Sequence, residues 1–137
     1  MTIRVYTDGG SRGNPGPSAS GAILKEMDGA SEGKTVAKAA KWLGTTTNNQ
    51  AEYTAIIIGL EKAKELGATV VQMRMDSELA VKQLTGKYKV KNPDIAKRFL
   101  EVKNLETKFA RVTYTHVRRE QNTEADALVN ETIDAHL

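Results

Sequence analysis

The chain has 137 residues, 39% hydrophobic and 27% charged, with a net charge of +3 and no cysteine. That length suits one domain with one substantial core, and the absence of cysteine excludes a disulfide framework or a thiolate metal site. No basic leader followed by an apolar stretch opens the sequence, and the longest apolar run, Ala55 to Leu60, is far too short to cross a bilayer; a cytoplasmic protein without a membrane partner is expected.

In chain order, Ile3 to Thr7 alternates and is rich in β-branched residues, which predicts a strand ending just before Asp8. Ala19 to Met27 and Thr35 to Leu43 predict two more strands around the turn-prone Asp28-Gly29, making an antiparallel meander. The period then changes. Thr47-Asn48-Asn49-Gln50 fits a capping box that opens a helix over Gln50 to Leu66, stopped by Gly67. Val70 to Met75 reads as a strand, Ser77 to Leu84 as a helix, and Pro93 suits the first turn of a helix running to about Phe109. Arg111 to Val117 is the fifth strand, and Thr123 to His136 the last helix, with Asn122 placed to cap it.

Strands that alternate with helices after Thr47 imply parallel pairing through right-handed crossovers, whereas the first three pair antiparallel. The expected fold is therefore α/β: a mixed five-stranded sheet, an antiparallel meander plus two parallel strands, with helices on its faces in a single domain spanning 1–137. Between Thr85 and Arg111 eight Lys or Arg stand against three acids. That local surplus suits a polyanionic partner, although a solvated helix face accounts for the same charges.

Four acids stand apart from the acid–lysine pairs of the helix faces. Asp8 follows the first strand and Asp76 the fourth, while Glu52 and Asp126 lie in the predicted first turns of two helices. Singly, each has an ordinary explanation in helix capping or the helix dipole. Ligands of sheets with parallel strands, however, sit beyond the carboxyl ends of those strands, where helix N-termini also point. If the first and fourth strands are neighbours, all four carboxylates can converge there. Such a cluster repels itself and requires a cation, and hard oxygen donors select Mg²⁺ or Mn²⁺. Two such ions about 3.5–4 Å apart activate a water and stabilise the leaving oxygen of a phosphodiester. Asn14, Asn48, Asn49 and Gln50 would supply neutral donors for phosphate or base edges, besides capping.

Two glycine patterns do not carry nucleotide binding. Gly10, Gly13 and Gly16 lack the dinucleotide spacing and no helix follows them, and the stretch from Gly29 to Thr35 is one residue short of a P-loop.

The blocks TDGGSRGNPGP, TTNNQAEYTAIIIGLEKA, MDSELAVKQL and HVRREQNTEADAL, in this order, make the chain resemble type 1 ribonuclease H over almost its whole length. The resemblance implies endonucleolytic cleavage of the RNA strand of RNA–DNA hybrids, leaving 5′-phosphate and 3′-hydroxyl ends, with two Mg²⁺ or Mn²⁺ ions. It implies Asp8 as the bridging ligand, Glu52 and Asp76 completing one metal site and Asp126 the other. Gly9, Asn14, Thr47, Asn48, Asn49, Glu78, Lys87 and Lys89 fall at positions implied to meet the hybrid, and a monomer is expected.

Two departures from the family pattern qualify this reading. Some members carry a mobile histidine ten residues before the last acid, and His116 has that spacing. Alternation with Val112 and Tyr114 turns it inward in the expected strand, so Arg119, matching short archaeal-type members, is preferred as the auxiliary residue with His116 second. Arginine stays protonated and would steer phosphate or help expel product. The basic protrusion of larger members is reduced to GKYKVKNPD, so modest and strongly salt-dependent hybrid binding is expected. Glu78 stands where the family often has Gln, which weakens a backbone contact. The alternatives are a catalytically silent nucleic-acid-binding module on the same fold, or another nuclease of the superfamily such as an exonuclease or a junction resolvase.

Overall fold

The computed structural model describes residues 1–137. Five strands, β1 (Thr2–Ser11), β2 (Gly16–Asp28), β3 (Ser31–Thr46), β4 (Val70–Met75) and β5 (Arg111–His116), form one sheet in the order β3-β2-β1-β4-β5. The β1–β2 and β2–β3 pairs are antiparallel, and the β1–β4 and β4–β5 pairs are parallel. Four helices complete the chain: α1 (Asn48–Glu65), α2 (Glu78–Leu84), α3 (Pro93–Glu106) and α4 (Thr123–Asp134), with a 3-10 turn at Arg119–Gln121. The mixed sheet expected from the period changes is thus present. No helix is long and apolar enough to cross a membrane.

Alternation explains the layering. Ile3, Val5 and Thr7 of β1 are buried on the face that meets α1, together with Leu24, Ile56, Leu60, Val71 and Met73. Gly10 and Gly21, on the opposite face, approach Val129 of α4. Under α4 lies a smaller cluster of Ala19, Val129 and Ile133, against which Trp42 packs. The sheet is therefore covered by α1 on one face and by α4 on the other.

Several boundaries differ from the sequence reading. β1 continues through Asp8 to Ser11, with Asp8 paired to Gly21 of β2; Gly9 and Gly10 have no side chains to show alternation, yet their backbone still pairs. α1 begins at Asn48, so Glu52 belongs to its second turn rather than its first. Half of the capping box forms. Thr47 Oγ1 accepts the Gln50 N–H at 3.3 Å, while Gln50 Oε1 accepts from Arg98 Nε at 3.3 Å instead of reaching back. α3 stops at Glu106, short of Phe109, and α4 stops at Asp134. Asn122 precedes α4 but its side chain makes no capping bond there.

Candidate active site

The parallel register pairs Thr7 of β1 with Met75 of β4. Asp8 and Asp76, each one residue further on, therefore stand side by side where the β1–β4 pairing ends. Glu52 joins them because α1 lies almost directly on β1. A Cβ on Gly9 would fall 2.1 Å from the carbonyl carbon of Ala51 and 2.2 Å from the nitrogen of Glu52. No other residue fits there without moving the helix. Ser20 Oγ clamps the same turn by donating to the Ala51 carbonyl at 2.6 Å.

Asp126 is brought in by Asn122, which is 1% exposed and donates from Nδ2 to the Thr7 carbonyl at 2.9 Å. This bond ties the start of α4 to the strand residue immediately before Asp8. The cap expected of Asn122 is replaced by this tertiary contact with a strand carbonyl.

The electrostatics are those of crowded carboxylates. Burial first, then the charges of Asp76 and Asp126, a hydrogen bond shared with Asp126, and the charge of Glu52 push the Asp8 carboxyl up from 3.8 to about 8. Glu52 is also raised, chiefly by burial. A hydrogen bond from Ser77 opposes that rise, the charge of Asp76 adds to it, and a bond from Asn48 opposes it. Asn48 Nδ2 donates to Glu52 Oε1 at 2.7 Å, and the Asn48 N–H donates to Asn14 Oδ1 at 3.1 Å, linking the β1–β2 hairpin to α1.

All four acids line one groove of about 820 Å³, shared with Gly9, Arg12, Asn48, Ser77, His116, Arg118, Arg119 and Asn130. Only three of its 18 lining residues are hydrophobic, which suits a charged ligand far better than an apolar one. As the side chains stand, no three His, Cys, Asp or Glu are set around a single point to hold an ion. The donor set itself, four hard carboxylates without cysteine, fits Mg²⁺ or Mn²⁺.

His116 corrects the sequence reading. It shares the parity of Val112 and Tyr114, yet it is exposed and lines the groove. It is the last residue of the edge strand β5, so no further strand covers it on its outer side and it stays open to the groove. Arg119 lines the same groove from the 3-10 turn. Other expected contacts lie elsewhere. Lys87 and Lys89 line a separate hollow with Leu79, Tyr88 and Lys91. Glu78 is paired with Lys82 at 2.7 Å and does not line the groove. Thr47 serves as the cap of α1, and Asn49 is exposed beside it.

Ser77, Arg12, Arg118 and Asn130 line the groove without having been singled out in the sequence. Asn130 was findable, since it follows Asp126 by four residues on one helix face. Ser77 was masked by its role as the cap of α2, where it accepts the Ala80 N–H at 3.2 Å.

The sheet order and the acids at its parallel edge define the ribonuclease H-like class of α/β proteins. A family model described as reverse transcriptase-like matches residues 6–132. The chain is 43% identical to ribonuclease HI of Halobacterium salinarum over 132 residues, 96% of this chain and 64% of that protein. A crystal structure of RNase H1 from Halobacterium salinarum superposes with a TM-score of 0.93 at 42% identity, covering 98% of this chain and 99% of that one. LC11-RNase H1, solved in complex with an RNA/DNA hybrid, gives a TM-score of 0.90 at 40% identity and covers 98% of both chains. The chain belongs to the type 1 ribonuclease H family. It spans 36% of the length of the relatives it matches in Mycobacterium tuberculosis and Mycobacterium bovis, at 42% identity.

Proposed function

We propose that this chain cleaves the RNA strand of RNA–DNA hybrids internally, leaving 5′-phosphate and 3′-hydroxyl ends, with two Mg²⁺ or Mn²⁺ ions held by Asp8, Glu52, Asp76 and Asp126. The observation that carries this reading is that four carboxylates line one polar groove, with burial and the neighbouring carboxylates pushing Asp8 up to about 8. The ribonuclease names of the relatives and the hybrid bound to LC11-RNase H1 support the choice of substrate.

Bound ions would supply an activated water and charge neutralisation at the leaving oxygen. The protein supplies position. Asp8, Glu52, Asp76 and Asp126 would together hold the ions, their charge offsetting that of the metals. Asn48 donates to Oε1 of Glu52, and Ser77 bonds the same carboxylate, so both residues fix how it faces the groove. Asn14, anchored through its Oδ1, keeps an amide N–H pair to donate to phosphate or sugar. Arg119 holds a permanent positive charge at the groove wall and would grip a phosphate and draw product away, with His116 as the second choice for that auxiliary role. All four acids come from one chain, so a monomer suffices.

The test is a labelled hybrid incubated with Mg²⁺, with Mn²⁺ and with EDTA, beside duplex DNA and duplex RNA. Internal cuts should appear in the hybrid's RNA only, and both EDTA and Asp8→Asn should abolish them. Hybrid binding without cleavage in either metal would leave a silent binding module and overturn the enzyme.

A further inference from the structure

Arg12 lies in the β1–β2 hairpin and lines the groove. The strand order places that hairpin and the end of β5, with His116, Arg118 and Arg119, on opposite sides of the Asp8–Asp76 pair. Cations therefore flank the acids on both sides, but Arg12 is already engaged. Its Nη1 donates to Asp134 Oδ1 at 2.6 Å, and its Nη2 reaches the backbone carbonyl and Oδ1 of Asn130, each at a long 3.5 Å. Asn130 Nδ2 in turn lies 3.5 Å from Asp126 Oδ2. Asp126, Asn130 and Asp134 follow one another at four-residue steps, so they share one face of α4.

Asp134 has no evident role in the fold. It stands in the last turn of α4, where a negative charge opposes the helix dipole, and that turn holds no basic residue. Its side chain is 66% exposed and that of Arg12 40%; an ion pair so open to water contributes little to stability and exchanges readily. The carboxylate also uses the guanidinium poorly. Only one of the two terminal nitrogens makes a short bond, whereas a phosphodiester presents two free oxygens that match the planar fork.

We propose that Arg12 forms a phosphate subsite for the backbone of the bound hybrid beside the acid cluster, and that the Asp134 carboxylate occupies this subsite in the free protein as an internal competitor. The proposal rests on the hybrid-cleaving reading above. A phosphate arriving at the hairpin takes the Arg12 fork and releases Asp134 to solvent. The duplex is thereby held at a second point, on the side of the acids away from Arg119.

The test measures binding of a fluorescent hybrid by anisotropy in EDTA, where no cleavage occurs, across a salt series. The proteins compared are the wild type, Arg12→Ala, Arg12→Lys, Asp134→Asn and the Arg12→Ala/Asp134→Asn double variant, each checked for an intact fold by circular dichroism. Arg12→Ala should weaken binding roughly 3- to 10-fold and reduce the salt slope by about one. Arg12→Lys, which keeps the charge but not the fork, should fall between. Asp134→Asn should tighten binding roughly threefold, and this gain should vanish in the double variant because its route runs through Arg12. Wild-type affinity in Arg12→Ala, or an undiminished gain from Asp134→Asn without Arg12, would overturn the subsite. If the wild type meanwhile binds and cuts the hybrid in Mg²⁺, only the subsite falls; a wild type that neither binds nor cuts removes both.

Discussion

The raised Asp8 carboxyl makes stability depend on pH in a direction that can be tested. Its folded-state value of about 8 lies above the ordinary 3.8. Between those values the native metal-free protein keeps a proton that the unfolded chain releases, so stability must fall as pH rises through this window, by up to ~1.4 kcal/mol per pH unit. Thermal melts in EDTA from pH 5 to 9 should show that decline. Asp8→Asn should flatten it and melt higher than the wild type at pH 8, and saturating Mg²⁺ should flatten it in the wild type; a decline unchanged in Asp8→Asn would assign it to other groups. The auxiliary residues are separable as well. Arg119→Ala should lower kcat by roughly 100- to 1,000-fold, the scale of losing one charge-stabilising donor, and by more than His116→Ala does. The reverse order in steady-state cleavage would make His116 the working group.

Two element-level contacts bring the acids together. Gly9 lets α1 lie on β1, and the 2.1 Å approach of a hypothetical Cβ to Ala51 leaves no room for even a methyl group. Gly9→Ala should therefore destabilise the fold by ~1–3 kcal/mol or more in urea titrations and should depress cleavage beyond what instability explains, because Glu52 moves with the helix. Asn122 performs the matching task for α4 through its bond to the Thr7 carbonyl. Asn122→Ala removes that buried hydrogen bond and should cost ~1–3 kcal/mol. Its Mg²⁺ affinity, read by calorimetry at a temperature where the variant is folded, should drop as Asp126 loosens. An unchanged affinity would confine Asn122 to stability.

Across the whole molecule, the charged side chains fall into two separate places. The acids and their flanking cations occupy the groove at the parallel edge, while Lys87, Lys89 and Lys91 line their own hollow with Tyr88. Replacing Lys87 and Lys89 together by alanine should weaken hybrid binding several-fold and lower the salt slope by about two if both meet phosphates, with kcat unchanged at saturation. An unaltered slope would mark them as solvated surface. Much of this layout was legible from the chain. The five strands, the four helices, the mixed pairing and the four acids near the ends of their elements follow from side-chain period and turn chemistry, which are local properties of consecutive residues. What was not legible is which distant polar groups meet. By its position in the chain Asn122 is a cap, yet it ties to Thr7; by alternation His116 turns inward, yet it is open; Arg12 and Asp134 carry no local signal at all. Short polar side chains choose partners by the relative placement of non-adjacent elements, and a packed sheet edge sets that placement through contacts that no stretch of neighbouring residues contains.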